Sequence, residues 1–310
     1  MYIRDNIKSL LPYSTARDEY QGGDISVWLD ANESPYNNGV NRYPDPHQRE
    51  LKQAIARLKG VQPEQVFIGN GSDEAIDLCF RIFCEPGEDN VVAIAPTYGM
   101  YSVAAAINNV NVREVPLAAD TYALDIEAML RAVDEHTRLM WVCSPNNPTG
   151  NAFPLSELEQ LATRFDGVLV VDEAYIDFSD KGSMLRVLSH HPHVVAHVKY
   201  PYNVNGPTQR EVMQRLATEA HDEHVAEVIR ERQALSSALL SASCVVRVYP
   251  SDANFLLIKV RDADALYAHL VAKGIIVRNR HRVPGCKNCL RLTIGTPEEN
   301  VRLLQAIQSF

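Results

Sequence analysis

No stretch of the sequence is apolar for long enough to cross a bilayer, because a transmembrane helix needs about 20 consecutive apolar residues. The opening residues MYIRDNIKSLLPY have no long apolar core and no small-residue cleavage site, so we expect no secretory signal. Positive charge is also scarce: 30 Lys and Arg residues stand against 39 Asp and Glu residues, a net charge of −9. This balance argues against a nucleic-acid or anionic-membrane partner.

The sequence has no cysteine pattern that indicates disulfides or a metal site. Its six cysteines are scattered, and Cys79, Cys84 and Cys143 lie in apolar stretches. We therefore expect reduced thiols in a cytoplasmic protein. Cys286 and Cys289 have the Cys-x-x-Cys spacing, but no second pair follows them, and a structural zinc ion needs four ligands. We expect no metal.

The clearest local pattern is a strand, a helix and a second strand between residues 139 and 178. Residues 139–143 are apolar, residues 155–165 have apolar side chains at the spacing of one helix face, and residues 167–171 form a β-branched run. This order predicts a right-handed crossover between parallel strands. The β-branched run is typical of a strand that is covered on both faces.

Polar side chains follow both of these strands. Asn147 comes just after the first strand, Asp172 ends the second, and Tyr175 lies three residues further on. Ligands of open α/β sheets bind beyond the carboxyl ends of the strands. The sequence therefore predicts a crevice that these three side chains surround.

The chain changes character after Asp177. One long amphipathic helix, or two with a break, is predicted over residues 209–242, followed by alternating short strands and helices. We predict an α/β fold with a mainly parallel central sheet and a smaller C-terminal α+β domain. The predicted division is an N-terminal arm (1–30), a large domain (31–205) and a small C-terminal domain (206–310).

Three motifs give this pattern a specific likeness. Ser-Pro-Asn-Asn-Pro-Thr-Gly (144–150), followed by Asp-Glu-Ala-Tyr (172–175), resembles the fold-type I aminotransferases, which use pyridoxal 5′-phosphate (PLP). Ala-Pro-Thr-Tyr-Gly-Met-Tyr (95–101) narrows the resemblance to histidinol-phosphate aminotransferases. The likeness runs from about Leu11 to the C-terminus. It implies a large PLP-binding domain, a homodimer, and transamination between L-histidinol phosphate and 2-oxoglutarate, with glutamate as a product, in histidine biosynthesis.

Two other functions stay open at this point. One is a related PLP aminotransferase that acts on an aromatic amino acid or a phosphorylated amino alcohol. The other is a protein of the same fold that keeps a ligand pocket without catalysis.

A turn at residues 69–73 is the candidate phosphate site. It precedes a helix predicted over 73–83, with a short strand before it (66–69) and Ser72 as the helix cap. The N-terminus of a helix favours a bound phosphate. A glycine turn with no ligand would have the same sequence pattern. The resemblance implies that the cofactor phosphate is bound by Gly71, Ser72 and Asp73, and by Tyr43 of the other subunit. It implies that Tyr98 stacks on the cofactor ring and that Asp172 binds the pyridine nitrogen. The ring oxygen would be bound by Asn147 and Tyr175.

Two strand arginines are the candidate substrate ligands. Arg278 ends an apolar run and Arg291 lies inside another, where a guanidinium needs an anionic partner. An internal salt bridge is the alternative. The resemblance implies that Arg291 binds the substrate carboxylate or phosphate, that Arg278 also meets the substrate anion, and that Tyr13 and Asn32 join them.

The sequence lacks the lysine segment of the family. Such enzymes carry a Ser-Lys segment about thirty residues past the aspartate and an Arg-x-Gly segment soon after, and neither is found. The chain is also roughly forty residues shorter than expected. The pattern predicts a deletion near residues 196–200. Lys199 is a weak stand-in, because its neighbours match sequence further downstream. Three explanations stay open. Either the sequence omits residues that the molecule contains, or the protein is inactive, or Lys199 has taken over the role of the missing lysine.

Overall fold

The computed structural model describes residues 2–11, 27, 29–187, 201–218 and 221–310. The chain divides into two compact units. The first unit comprises Tyr2–Glu85 and Leu188–Glu219, and the second comprises Pro86–Val187 and Ala220–Phe310, with Met1. The division into an arm, a large domain and a small domain stays a prediction.

Helices and strands follow one another along the described residues. The α-helices, in chain order, are α1 (Asp5–Lys8), α2 (Arg49–Lys59), α3 (Gly71–Phe83), α4 (Met100–Ile107), α5 (Ile126–Arg131), α6 (Leu155–Arg164), α7 (Gly206–Thr218), α8 (His221–Leu239), α9 (Ala263–Ala272) and α10 (Pro297–Gln308). The strands are β1 (Asn90–Ala95), β2 (Asn111–Pro116), β3 (Thr137–Cys143), β4 (Val168–Asp172), β5 (Val245–Val248), β6 (Phe255–Val260), β7 (Arg278–Asn279) and β8 (Cys289–Thr293). None of the described helices is both long and apolar enough to pass through a membrane.

The second unit contains a parallel sheet in the order β2-β1-β3-β4. Helix α6 connects β3 to its parallel neighbour β4, as the strand, helix and strand pattern predicted. In that pairing Cys143 lies opposite Asp172, so both strands end at the same edge of the sheet. The α/β fold with a parallel sheet is confirmed.

Strand β4 differs from its prediction. It lies at an edge of the sheet as described, and its five residues are half-buried rather than covered on both faces. Strands β1 and β3, which each have a neighbour on both sides, are almost fully buried. The β-branched run of β4 therefore reflects its strand propensity and not its burial. No described strand pairs with the outer side of β4.

A second sheet in the same unit is antiparallel, in the order β5-β6-β8-β7. Leu256 and Ile258 of β6 pack into a core with the helices α8, α9 and α10, while Leu257 packs into the core of the parallel sheet. Side chains alternate between the two faces of a strand, so β6 contributes to both cores. The antiparallel sheet therefore has its helices on one face, which is the α+β arrangement predicted for the C-terminal part of the chain.

The start of α3 corrects two predictions in the first unit. Residues 66–69 form no strand, because the described part of this unit offers no strand to pair with. The Ile68 carbonyl instead accepts a hydrogen bond from the Asn203 side chain at 3.0 Å. Ser72 is not the cap: the helix begins at Gly71, and the Glu74 carboxylate accepts a hydrogen bond from the Asn70 N–H at 2.6 Å. The Glu74 carboxylate therefore satisfies the N–H of Asn70, the residue before the helix, and no side chain caps the helix in the way predicted for Ser72.

Candidate active site

Asp172 is the last residue of β4, and its carboxylate has no cationic partner among the described residues. One carboxylate oxygen accepts a hydrogen bond from the Tyr101 hydroxyl at 2.7 Å, and the other accepts one from the Ala174 N–H at 3.1 Å. No lysine or arginine of the described residues pairs with it. Because a carboxylate has about four acceptor positions, Asp172 can still receive a cationic N–H donor.

Tyr101 holds that carboxylate from a buried position on α4. Its ring stacks on Trp141 of β3, with the ring centroids 4.8 Å apart and the planes at 22°. Burial, followed by the nearby Cys143 and Asp172, raises the pKa of the Tyr101 hydroxyl far above its usual value. The hydroxyl therefore stays protonated and donates to Asp172 at every working pH. Tyr101 received no role from the sequence alone, although it is the last residue of the motif at 95–101, and its ring packs edge-on against Tyr98 with the centroids 5.8 Å apart.

Asn146 joins the two loops that follow β1 and β3. Its side chain is fully buried and donates to the Pro96 carbonyl at 2.9 Å, and its oxygen accepts from the Thr97 hydroxyl at 2.9 Å. These bonds hold the loop of Tyr98 against the loop of Asn147. Asn146 too was missed, because in the sequence it reads only as a turn residue.

Gly150 closes the second of these loops. Its backbone has a φ of +87°, and a Cβ at this position would come within 2.7 Å of the Ser251 hydroxyl oxygen. Asp252 secures the loop by donating its backbone N–H to the Gly150 carbonyl at 2.8 Å. Glycine is needed here both for the backbone conformation and for the space.

Asn147, Tyr175 and Arg291 form a connected group. The guanidinium of Arg291 donates through Nη1 to Asn147 Oδ1 at 2.7 Å, and Asn147 Nδ2 lies 3.5 Å from the Tyr175 hydroxyl. Since Arg291 can only donate, it fixes the amide with its N–H groups toward Tyr175. The Arg291 guanidinium also lies over the Phe255 ring, 5.0 Å from its centroid.

The charge state of this group follows from burial and from one neighbour. Burial raises the pKa of the Tyr175 hydroxyl, and the positive charge of Arg291 opposes that rise. Tyr175 is therefore a neutral phenol that can donate a hydrogen bond at neutral pH. It packs edge-on against Phe255, with the ring centroids 5.2 Å apart.

Arg278 and Arg291 lie opposite each other on β7 and β8. Arg278 begins β7 rather than ending a strand, because the apolar run before it (275–277) leaves helix α9 without pairing. Both arginines line a cleft of about 930 Å³, together with Arg280 and Arg302. Arg280 was missed, and the signal was its place two residues after Arg278, which puts both on one strand face.

The remaining predicted site residues lie elsewhere. Gly71, Ser72 and Asp73 are exposed at the start of α3, in the first unit, where Asn32 is also exposed. Tyr43 is 47% exposed in the same unit and stacks on Tyr202, with the ring centroids 4.8 Å apart. Tyr13 and Lys199 lie outside the described residues. Their roles, and those of Tyr98 and the first-unit residues, stay predictions.

The Cys-x-x-Cys pair is part of the core. Cys286 and Cys289 are both buried, and burial raises the pKa of the Cys289 thiol to about 12. Cys286 lies 3.9 Å from the Tyr122 hydroxyl oxygen. A search of the described residues finds no group of side chains that could hold a metal ion.

A family model described as aminotransferase class I and II matches residues 16–199 and, separately, residues 193–307. The chain belongs to this family of aminotransferases. Its relatives include the histidinol-phosphate aminotransferase of Bacteroides thetaiotaomicron, which is 47% identical over an alignment of 337 positions that covers 99% of this chain and 97% of that protein.

Solved structures share the fold. The histidinol-phosphate aminotransferase of Clostridium acetobutylicum aligns with a TM-score of 0.77 and 20% identity, covering 87% of this chain and 90% of that one. The enzyme of the same name from Sinorhizobium meliloti, solved in complex with pyridoxal 5′-phosphate, aligns with a TM-score of 0.77 and 22% identity, covering 86% of this chain and 82% of that one.

The alignments also locate a break in this chain. The two stretches matched by the family model overlap at residues 193–199, so the family pattern stops and resumes there. An alignment of 337 positions with a chain of 310 residues leaves at least 27 positions, the difference between the two, without a residue of this chain. Both observations agree with the interruption that the missing lysine segment predicted.

Proposed function

We propose that the protein is a PLP-dependent aminotransferase that moves the amino group of L-histidinol phosphate to 2-oxoglutarate, giving imidazole-acetol phosphate and L-glutamate in histidine biosynthesis. One observation carries the proposal: Asp172 lies at a strand end with no cationic partner among the described residues, beside the linked side chains of Asn147, Tyr175 and Arg291. The names of the relatives support the choice of substrate.

The described side chains fit PLP. The carboxylate of Asp172 suits a protonated pyridine nitrogen, which is the cationic N–H donor that it lacks. The amide of Asn147 and the phenol of Tyr175 are both donors, which suits a ring oxygen that carries negative charge. When bound, the cofactor supplies an electron-accepting ring for the carbon from which a proton is removed.

The side chains of this site would bind the cofactor and fix its orientation. Asp172 would hold the proton on the ring nitrogen, and Tyr101 keeps the Asp172 carboxylate in place by donating to it at 2.7 Å. Arg291 keeps Asn147 turned so that its N–H groups face Tyr175. We further propose that Tyr98 stacks on the ring and that Gly71, Ser72 and Asp73 bind the cofactor phosphate at the start of α3.

The substrate anion is proposed to bind at the arginines. The guanidinium of Arg291 donates to Asn147 through Nη1, and its other nitrogens have no hydrogen-bond partner among the described residues, although Nε is buried. Arg278 lies opposite it across the strand pair. Each substrate presents an anion, a phosphate or a carboxylate, and the two can occupy this place in turn. Tyr13 and Asn32 are proposed to complete the substrate contacts.

The reaction also needs a lysine amine that anchors the cofactor and moves the proton. The break at residues 193–199 falls where the family carries this lysine. We infer that the active protein contains the missing segment, and that the chain of 310 residues has little turnover by itself. If the chain is complete, a second function applies, in which the protein holds a ligand in this pocket without catalysis.

Assembly and location complete the proposal. We propose a homodimer in which Tyr43 reaches the cofactor phosphate of the other subunit, which fits its 47% exposure. A monomer in light scattering at micromolar concentration, with cofactor bound, would contradict this. We also propose a cytoplasmic location, which suits a biosynthetic enzyme whose six cysteines are all free.

The function is tested by amino-group transfer from L-histidinol phosphate to 2-oxoglutarate, followed as L-glutamate formed. Phenylalanine serves as the competing donor. Faster transfer from histidinol phosphate supports the proposal, and faster transfer from phenylalanine assigns the protein to the related aromatic enzymes. Reversible PLP binding without transfer by any donor, in a protein of the expected mass, supports the non-catalytic alternative.

A further inference from the structure

We propose that Arg280 is a third anion ligand beside Arg278 and Arg291, and that it selects a dianionic phosphate over a monoanionic carboxylate. This inference rests on the proposed function and deepens it, because it identifies the residue that distinguishes the phosphorylated substrate from the dicarboxylate. The resemblance to the family gave Arg280 no role.

The strand geometry brings the three guanidinium groups to one place. Arg278 pairs with Arg291 in the antiparallel register of β7 and β8. Arg280 follows β7 directly and continues its ladder by donating its N–H to the Cys289 carbonyl at 2.9 Å, so strand alternation places its side chain on the same face as Arg278. All three residues line the same cleft of about 930 Å³. Like charges that lie directly opposite on paired strands are destabilising, so this arrangement needs compensation.

The described residues do not supply that compensation. The buried Nε atoms of Arg280 and Arg291 have no hydrogen-bond partner there, and no ion pair of the described residues includes Arg278, Arg280 or Arg291. The acidic side chain that lines the cleft, Glu299, is bonded to the backbone N–H of Thr296 at 2.9 Å.

The electrostatics agree with an anion site. Burial, then the charges of Arg291 and Arg278, lowers the pKa of the Arg280 guanidinium. Burial also lowers the pKa of Arg291, and Arg278 contributes to that lowering. Guanidinium groups in proteins remain protonated even so, and the strain of their repulsion is relieved by a bound anion.

The number of arginines favours a dianion. Arg291 already donates one N–H to Asn147, so it can offer an anion only part of its guanidinium. Arg278 can offer a pair of parallel N–H groups, and these two arginines together are enough for a carboxylate. A phosphate dianion has three oxygens and two charges, so it can accept from a third fork. Arg280 is therefore the residue whose contribution depends on which anion is present.

Calorimetric titrations with inorganic phosphate and with acetate, at about pH 8 and low ionic strength, test this. Arg280→Gln should weaken phosphate binding about 10- to 100-fold and acetate binding by less than about threefold. Arg282→Gln is the matched control, since Arg282 is exposed and does not line the cleft. Arg280→Lys, which keeps the charge but not the planar fork, should give an intermediate loss.

The outcomes separate this inference from the proposed function. Phosphate that binds at another site contributes equally to the wild type and to the three variants. The comparison therefore uses only the differences in affinity between these four proteins. Equal losses in the Arg280 and Arg282 variants, or equal losses of phosphate and acetate, overturn the inference while leaving transamination untouched. Selective phosphate loss in a protein that neither binds PLP nor transaminates supports the anion site and overturns the proposed function. Thermal unfolding of each variant shows whether a loss reflects the site or the fold.

Discussion

The hydroxyl of Tyr101 donates to the carboxylate of Asp172 at 2.7 Å, and this bond joins helix α4 to the end of β4 across 71 positions of sequence. The Tyr101 ring is held on its other side by Trp141. The bond fixes the position of the Asp172 carboxylate, which keeps acceptor positions for a further donor. The pair therefore positions the charge that we propose for binding the cofactor ring.

Tyr101→Phe should weaken PLP binding about tenfold, because it removes a hydrogen bond to a charged group and keeps the ring stacked on Trp141. The measurement is the dissociation constant of PLP from the cofactor-free protein. Tyr122→Phe is the control, since the Tyr122 hydroxyl bonds to the Gly285 carbonyl at 2.9 Å and not to Asp172. Equal affinity in the Tyr101 variant and the wild type would show that the bond has only a structural role.

Arg291→Ala should reduce kcat/KM for both histidinol phosphate and glutamate in a form of the protein that transaminates. Each substrate loses a charge-assisted pair in the cleft, which costs on the order of 2–5 kcal/mol. Asn147 also loses the donor that orients its amide at 2.7 Å. Arg247→Ala is the comparison, because Arg247 is exposed and lies over the Tyr249 ring. Unchanged kinetics for both substrates would refute the assignment of Arg291.

Asp134→Asn should lower the free energy of unfolding at neutral pH, with the difference from wild type shrinking in acid. The Asn90 side chain, with Arg113, Thr137 and the His136 N–H, lowers the pKa of Asp134 below its usual range. A lowered pKa gives stability that is present above the unfolded-state value of about 3.9 and is lost as the pH falls through the folded-state value.

Denaturant unfolding at several pH values between about 7 and 2 checks this expectation for Asp134, because the loss begins near the unfolded-state pKa and continues below it. Asp166→Asn is the control, because Asp166 is exposed and makes no ion pair with the described residues. Its difference from wild type should be small at every pH. A difference for Asp134→Asn that does not change with pH would mean that the carboxylate charge is not what stabilises this turn.

Strong local patterns made much of the fold predictable. Strands β3 and β4 and helix α6 have clear apolar patterns, and the structure keeps them within a few residues of their predicted bounds. The start of α3 could not be predicted, because the helix begins at Gly71, before Ser72, and the Glu74 carboxylate accepts from the Asn70 N–H instead.

The site was predictable where chemistry sits at strand ends and not where it depends on distant contacts. Asp172 and Asn147 follow their strands, so topology alone brings them to one edge. Tyr101 acts through Asp172, far away in the sequence, and no local pattern indicates that bond. Arg280 gave a signal, the alternation with Arg278, but its importance depends on Arg291 lying opposite.

The last prediction concerns the lysine. The chain of 310 residues, if it is the whole molecule, should bind PLP reversibly and transaminate near background. It keeps Asp172, Asn147 and Tyr175 but lacks the family's Ser-Lys and Arg-x-Gly segments. Proton transfer by a positioned base is worth about 10²–10⁴-fold, and the covalent anchor is lost with it. A protein that contains the segment should turn over and hold the cofactor covalently.

Borohydride reduction with PLP, followed by peptide mapping and intact mass, separates the explanations. A pyridoxyl adduct on a lysine in a peptide absent from the 310-residue sequence, with a larger intact mass, supports our inference that the active protein contains the segment. An adduct on Lys199 would overturn it and make Lys199 the catalytic lysine, 27 residues after Asp172. No adduct, in a protein of the mass of the 310-residue chain, would identify a cofactor-binding protein without turnover. Lys181→Arg is the control for nonspecific labelling, because Lys181 is an exposed lysine of the same unit as Asp172.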